Sequence, residues 1–272
     1  MADEVDEVDE ALVLTGVGED GVATLTLNRP AKRNALDDRM IHLLLEGVDE
    51  LARDPAAKVI VVRGAGPSFC AGADMSGAAG GPDRGALDDR NHMLDERYGQ
   101  FLRLWDAPKP VIAQVHGHCL GIAVALCSCA DLVVVADDAT VGWPLPLGGG
   151  VIGPAMALYV GLRRAKELSF VPMSSLTGRE AAELGWANRS VPAAELDATV
   201  AGLAAQIARV PSGVLRMKKE AINAVYERAG FREAVRSSAS FNALAHTDPD
   251  LDEVRAVLRE RGVKGAGAYF QG

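Results

Sequence analysis

The apolar positions of this chain change period along its length. Residues 22–28 alternate, with Val22, Thr24 and Thr26 opposed to Ala23, Leu25 and Leu27, the period-two signal of a half-buried strand. Before them, 11–17 reads as a second strand across the turn-like 18–21. The period then lengthens. Ile41, Leu44, Leu45, Val48 and Leu51 recur at helical spacing and predict a helix over 37–53, entered through 34–36. A strand follows at 58–63, a Gly/Ala-rich loop at 64–81, and a longer helix at 87–105 that ends before Pro108 and Pro110. Residues 111–115 and 132–136 read as strands, with a small-residue helix at 121–130 between them. From Pro154 onward helical patterns dominate, at 154–161, 163–170, 179–184, 194–209, 211–228, 232–245 and 249–261.

Strands alternating with helices, then a run of helices, predict an α/β core followed by a helical region. The expected division is an acidic tail over 1–10, a core over 11–200 and a helical region over 201–272. No linker composition marks 190–210, so the helices are expected to pack on the core or on a neighbouring subunit.

Composition removes several function classes. A net charge of −9 argues against nucleic acid as a bulk partner, while leaving room for a local basic pocket that takes a phosphorylated ligand. No apolar run reaches the roughly 18 residues a membrane span needs. The acidic start MADEVDEVDE is the reverse of a signal or transit peptide, which points to the cytoplasm. Cys70, Cys119, Cys127 and Cys129 sit in apolar, small-residue surroundings without zinc-site spacing. They are expected to be buried free thiols, and no metal is expected.

The run from Val111 to Gly153 carries the candidate chemistry. A strand meets a turn containing Gly117 and Gly121, and a helix follows whose first backbone N–H groups can hold developing negative charge. The acids of that run are Asp131, Asp137 and Asp138, all after the helix. An oxyanion pocket is thus predicted without a carboxylate to serve it. The match of 148–153 to G-x-G-x-x-G is set aside, because Pro144 and Pro146 precede it where a buried strand is required.

Five segments then occur in a familiar order: NRPAKRNAL (28–36), PSFCAGADM (67–75), PKPVIAQVHGHCLGIAVAL (108–126), ADLVVVADDATVG (130–142) and SSLTGREAAELGWANRSVP (174–192). Together with LRMKKEAIN (215–223), they identify a chain that resembles the crotonase, or enoyl-CoA hydratase/isomerase, family over about residues 10–270. The resemblance implies an α/β fold, a spiral of ββα repeats with a C-terminal helical trimerisation region. It implies an acyl-CoA thioester as ligand, no cofactor beyond the CoA of the substrate, and assembly as a trimer or dimer of trimers.

Carried over by motif, the thioester oxygen would accept from the N–H groups of Ala73 and Ile122. At Ile122 most relatives have glycine. The β-branched side chain forbids a positive φ there and is expected to narrow the substrate space. Lys32, Arg33, Ala71 and Lys219 would serve the CoA moiety, Lys219 as a mobile charge from the C-terminal helices. Ala125 and Leu145 stand where hydratases of the family carry their two glutamates, and with Trp143 they would line the acyl pocket. Gly153 stands at the aspartate position of the dehalogenase-type relatives.

Water addition needs a group to activate water and another to protonate the α-carbon, and Ala and Leu do neither. A two-glutamate hydratase mechanism is therefore not expected. His118 and the helix residues Asp95, Glu96 and Tyr98 are the candidate replacements, and Asp74 is expected to cap the next element. The enzymatic reading is hydratase/isomerase-type enolate chemistry with an unusual acid/base. Its rivals are a catalytically silent CoA-binding or assembly protein, and a hydrolase or lyase that uses a carboxylate of its substrate.

Overall fold

The computed structural model describes residues 11–74, 86–143 and 153–271. Its larger sheet has the strand order β1-β2-β3-β4-β6-β9, with strands Val13–Val17 (β1), Val22–Leu27 (β2), Val59–Gly64 (β3), Val111–Val115 (β4), Leu132–Ala136 (β6) and Arg189–Val191 (β9). β1 is antiparallel to β2, and every other pair is parallel. A parallel sheet is covered on both faces, so its inner strands lose the alternation of an amphipathic strand. VIVV in β3 and VIAQV in β4 are buried at every position, whereas β1 at the edge exposes Leu14, Thr15 and Gly16.

The smaller sheet has the order β5-β7-β8, from His118–Leu120 (β5), Thr140–Gly142 (β7) and Ser175–Thr177 (β8). It is extended by two single bridges, Cys70 to Cys119 and Leu36 to Ala73. The chain therefore repeats one path. A strand in the large sheet is followed by an extended piece in the small one and then by a helix. β2, Leu36 and helix α1 (Asp38–Arg53) form one such turn, and β4, β5 and helix α4 (Ile122–Ser128) another. This is the ββα spiral that the sequence motifs imply. Gly117 makes the crossing from β4 to β5 at φ +56, where a Cβ would lie 2.1 Å from the Pro67 carbonyl oxygen.

α1 begins one residue later than expected because Asp37 is its cap, accepting from the Met40 N–H at 2.8 Å. Its buried face carries Ile41, Leu44, Leu45, Val48 and Leu51, as the spacing predicts. The single helix expected over 87–105 is instead four pieces. These are α2 (Ala86–His92), a π turn (Met93–Arg97), a 3-10 turn (Tyr98–Phe101) and α3 (Leu102–Asp106). The break falls at Arg97, with φ −129 and ψ −104, and Arg97 is held there by Asp38 at 2.8 Å. At Gly99 a Cβ would come within 2.1 Å of the Leu94 carbonyl oxygen, so the crowding of this turn requires glycine.

Helices α5 (Gly153–Val160), α6 (Leu162–Phe170), α7 (Gly178–Glu183), α8 (Leu196–Ala208), α9 (Ser212–Arg228), α10 (Phe231–His246) and α11 (Leu251–Gln271) complete the chain. The last runs ten residues beyond its expected end, across a kink at Gly262 (φ +66). α8 spans the expected boundary at 200 and buries Leu196, Val200, Ala204 and Ala208 in the core shared with the large sheet. Among the described residues no single helix is long and apolar enough to cross a membrane.

α9 is tied to the core by a buried ion pair. Lys219, 8% exposed, donates to Asp131 Oδ2 at 2.8 Å and to the carbonyl oxygens of Leu104 and Lys109 at 2.9 and 3.3 Å. Asp131 Oδ2 also accepts from the Val111 N–H at 2.7 Å. Trp105 stacks on Phe231 with ring centroids 4.1 Å apart, which seats α10 on α3. α10 is latched to α2 through His246 Nδ1 and Asp89 Oδ2 at 2.7 Å.

Candidate functional site

The site is built where the small sheet meets the start of α4. Arg33 and Asn34 both adopt left-handed backbone (φ +49 and +55), a combination that must be held in place. Asn34 does this. Fully buried, it donates from Nδ2 to the carbonyl oxygens of Ala65, Ser68 and Phe69 (2.9, 2.8 and 3.1 Å) and accepts from the Arg29 N–H at 2.8 Å. The two N–H bonds of one amide are thus shared among three carbonyls, two of them buried.

Residues 70–74 then lie as a short extended segment between two neighbours. On one side Ala71 N–H donates to Arg33 O (2.9 Å), Leu36 N–H to Gly72 O (2.8 Å) and Asp74 N–H to Leu36 O (2.8 Å). On the other, Cys70 N–H donates to His118 O (2.9 Å) and Leu120 N–H to Cys70 O (3.1 Å). In a parallel bridge the central residue points its own N–H away from the partner strand. Ala73 is that residue opposite Leu36, so its N–H faces the side from which Leu120 and Gly121 approach, and it has no acceptor among the described residues. Gly72 (φ +100) permits the approach, since a Cβ there would lie 2.8 Å from the Leu120 carbonyl oxygen.

Gly121 caps α4 with φ +55 and ψ −121, and its own N–H donates to Gly142 O at 2.9 Å. No side chain caps the helix, so the Ile122 N–H, like that of Ala73, has no acceptor among the described residues. The positive φ that the sequence placed in question at Ile122 falls on Gly121 instead. The Ile122 side chain is 2% exposed and belongs to the core, so it does not narrow the space in front of the N–H groups. A Cβ at Gly121 would meet nothing within 4 Å. Within α4 Ala125 alone is not buried, and four residues from Gly121 it shares the same open line of the helix.

The candidate acid/base groups separate. Asp95 and Glu96 are exposed to solvent. Tyr98 is half-buried on the turn that packs against α4, edge-on to Phe101 at 6.1 Å. Burial pushes its hydroxyl up to about 12. His118 lies on β5, its Nδ1 3.0 Å from Ser68 Oγ, and its pKa is lowered first by burial and then by the charge of Arg33. His116 is a turn histidine, bonded to Gly66 O at 2.9 Å. Trp143 follows Gly142 at the cap of α4, and its Nε1 is the one buried side-chain nitrogen or oxygen among the described residues without a hydrogen bond. Leu145, Pro144 and the 148–152 glycine run lie outside the described residues, and Gly153 opens α5.

Lys32 and Arg33 are exposed on the turn before Asn34, and Ala71 is bonded to Arg33, so these three are brought together. Lys219 is not among them. Its ammonium is turned into the protein and consumed by three acceptors, which corrects the expectation of a mobile charge. Asp74 is held by Arg29 (2.6 Å), which also reaches Asp37 (3.4 Å). The element it was expected to cap lies outside the described residues. Sequence reasoning missed Arg29, Asn34 and Ser68 as organisers, since each acts on residues distant along the chain.

The four cysteines are free and buried, as expected. Burial raises the thiol pKa of Cys70, Cys119 and Cys129, which leaves them inert. Among the described residues no cluster of His, Cys, Asp or Glu could hold a metal ion. A cavity of about 400 Å³ opens elsewhere, between α9 and the large sheet, lined by Trp105, Asp131, Tyr159, Trp186 and Lys219. Within it Lys219 is paired with Asp131, Tyr159 donates to the Ser128 carbonyl oxygen and Trp186 donates to Ser128 Oγ.

Residues 18–256 match the enoyl-CoA hydratase/isomerase family model. Among similar proteins, hydroxycinnamoyl-CoA hydratase-lyase of Pseudomonas fluorescens is 35% identical, covering 74% of each chain. The 1,2-epoxyphenylacetyl-CoA isomerase of Escherichia coli is 32% identical over 92% of this chain and 96% of its own. Among solved structures, an enoyl-CoA hydratase/isomerase from Xanthobacter autotrophicus superposes with a TM-score of 0.88 at 31% identity, covering 96% of this chain and 97% of that one.

Proposed function

The chain belongs to the enoyl-CoA hydratase/isomerase family, and from that premise we propose that it binds an acyl-CoA thioester and stabilises the enolate of its acyl group. The observation that carries this reading is the pair of backbone N–H groups, Ala73 and Ile122, which have no acceptor among the described residues and lie on adjoining segments at the start of α4. A thioester oxygen between them would gain charge as the α-proton leaves, and fixed donors favour that state most where water is excluded. Lys32, Arg33 and Ala71 lie on the side where the CoA chain would run.

Tyr98 is the proposed proton donor. Its hydroxyl is protonated at neutral pH and lies on the turn against α4, where Ala125 offers only a methyl group. The phenol gives its proton to Cα of the enolate, and in the reverse direction the phenolate left behind takes the α-proton, so Tyr98 carries both halves of the exchange. Overturning this requires one measurement. The rate of deuterium uptake at Cα of bound acyl-CoA in D2O should exceed background, and Tyr98→Phe should lower it about tenfold or more. Exchange at background in the parent protein would leave the silent CoA-binding reading, which the absence of a carboxylate on the Gly121–Ala125 line favours.

Self-association as a trimer or a dimer of trimers is proposed from a second observation. α9 leaves Met217, Ile222 and Val225 exposed, and α10 leaves Phe241 and Leu244 exposed. Five large apolar side chains in solvent on two helices that touch each other support a partner. A monomer by light scattering would refute it.

A further inference from the structure

His118 sits away from the reacting end of the proposed pocket. Its carbonyl accepts from Cys70, three positions before Ala73 on an extended segment, and it precedes Ile122 by four positions. At about 3.3 Å per residue it is on the order of 10 Å along the backbone from either donor. Its neighbours are Arg33, whose charge acts on the ring, and Ala71, which is bonded to Arg33. The Arg33 guanidinium is exposed and has no ion-pair partner among the described residues, on a chain whose net charge is −9.

Ser68 decides what His118 can do there. It is 1% exposed, and its hydroxyl has one partner among the described residues, the His118 Nδ1 at 3.0 Å. A buried hydroxyl left without an acceptor loses the solvation of its proton, so it donates wherever an acceptor stands in reach. Nδ1 is that acceptor when the ring is neutral, and burial together with Arg33 favours the neutral ring. The ring proton is then on Nε2, which has no protein partner among the described residues and is not enclosed.

We infer that Ser68 is a positioning residue that fixes His118 as a neutral Nε2–H donor, and that this donor, beside Arg33, binds an oxygen of the CoA chain on the nucleotide side of the thioester. His118 thereby contributes to affinity and not to proton transfer at the α-carbon. The inference rests on the acyl-CoA reading above, but its first half does not.

Nitrogen-15 NMR of the His118 ring at neutral pH should show the proton on Nε2 in the unliganded protein, and Ser68→Ala should populate both tautomers. A proton on Nδ1 in the parent protein overturns the inference whatever the ligand. Calorimetry with acetyl-CoA should show about tenfold weaker binding for His118→Phe and a smaller loss for Ser68→Ala, the scale of one lost hydrogen bond. Parallel titrations with 3′-dephospho-acetyl-CoA and S-acetylpantetheine locate the acceptor. A loss that persists in both places it in the pantetheine, and a loss absent from the pantetheine arm places it at a phosphate; either supports the inference. Unchanged affinity in both variants, or a fall in Cα deuterium exchange at saturating ligand, overturns it. If the parent protein binds none of the three, the proposed function falls, while the tautomer measurement still stands by itself.

Discussion

Replacing Lys219 by Met tests whether its ammonium belongs to the interior or to a ligand. Lys219 is 8% exposed and contacts three acceptors, and Asp131 Oδ2 at 2.8 Å is the charged one. Met retains most of the apolar stem and removes the charge. Asp131 is then left with the Val111 N–H as its remaining partner here, and its pKa, already raised by burial against the opposing pull of Lys219, rises further. Breaking one side of a buried pair costs about 3–5 kcal/mol. For a chain of this size each kcal/mol lowers Tm by roughly 2–4 °C, so the fall should be on the order of 10 °C. The sign with pH follows from linkage. An acid with a raised folded-state pKa destabilises the folded state increasingly as pH rises from its unfolded value to its folded one. The deficit of Lys219→Met should therefore be larger at pH 8 than at pH 5. Thermal unfolding followed by circular dichroism at both values measures it, and Asp131→Asn combined with Lys219→Met should recover part of the loss. A Tm within about 2 °C of the parent, with weakened acyl-CoA binding, would refute the reasoning and return Lys219 to a ligand-binding role.

Asn34→Ala removes the donor to three carbonyls, two of them buried, under a left-handed pair, and a loss of about 2–4 kcal/mol by urea unfolding is expected. Gly121→Ala has room for its methyl but not the backbone, since φ is +55. With ψ at −121 the backbone lies outside the left-handed helical region, and a cost of about 1–3 kcal/mol is expected together with weakened thioester binding, because the methyl enters open space at the start of α4. Trp143→Phe deletes an indole N–H that has no acceptor among the described residues, so Tm should stay level or rise, and a fall of several degrees would show that the N–H is satisfied in solution.

β2, α1, β4 and β6 lie within a residue of where the pattern predicts them. Each carries its own evidence: a period of two, a period of 3.6, or an unbroken apolar run bounded by turns. The small sheet has no such signature. β5, β7 and β8 are three residues each, too short to display a period, and they exist because neighbouring turns of the spiral supply their hydrogen bonds. The helix expected over 87–105 has the right apolar content, and its interruption depends on the Arg97–Asp38 pair and on the crowding at Gly99 against Leu94. Ile122 shows the same division at the site. That a β-branched residue stands there is written in the chain, but that Gly121 absorbs the positive φ is decided by the hydrogen bond to Gly142.

The sequence by itself determined the family, the two candidate donor positions and the absence of a glutamate at residue 125, because these are identities at fixed spacing in local motifs. Tertiary structure decided the direction each group faces. It turned Lys219 inward onto Asp131, 88 residues away, and set Tyr98 against α4 while leaving Glu96 in solvent. It also brought Ser68 to within 3.0 Å of His118 across 50 residues. Burial and the pairing of distant polar groups depend on the closed chain as a whole, and a local pattern carries no record of them.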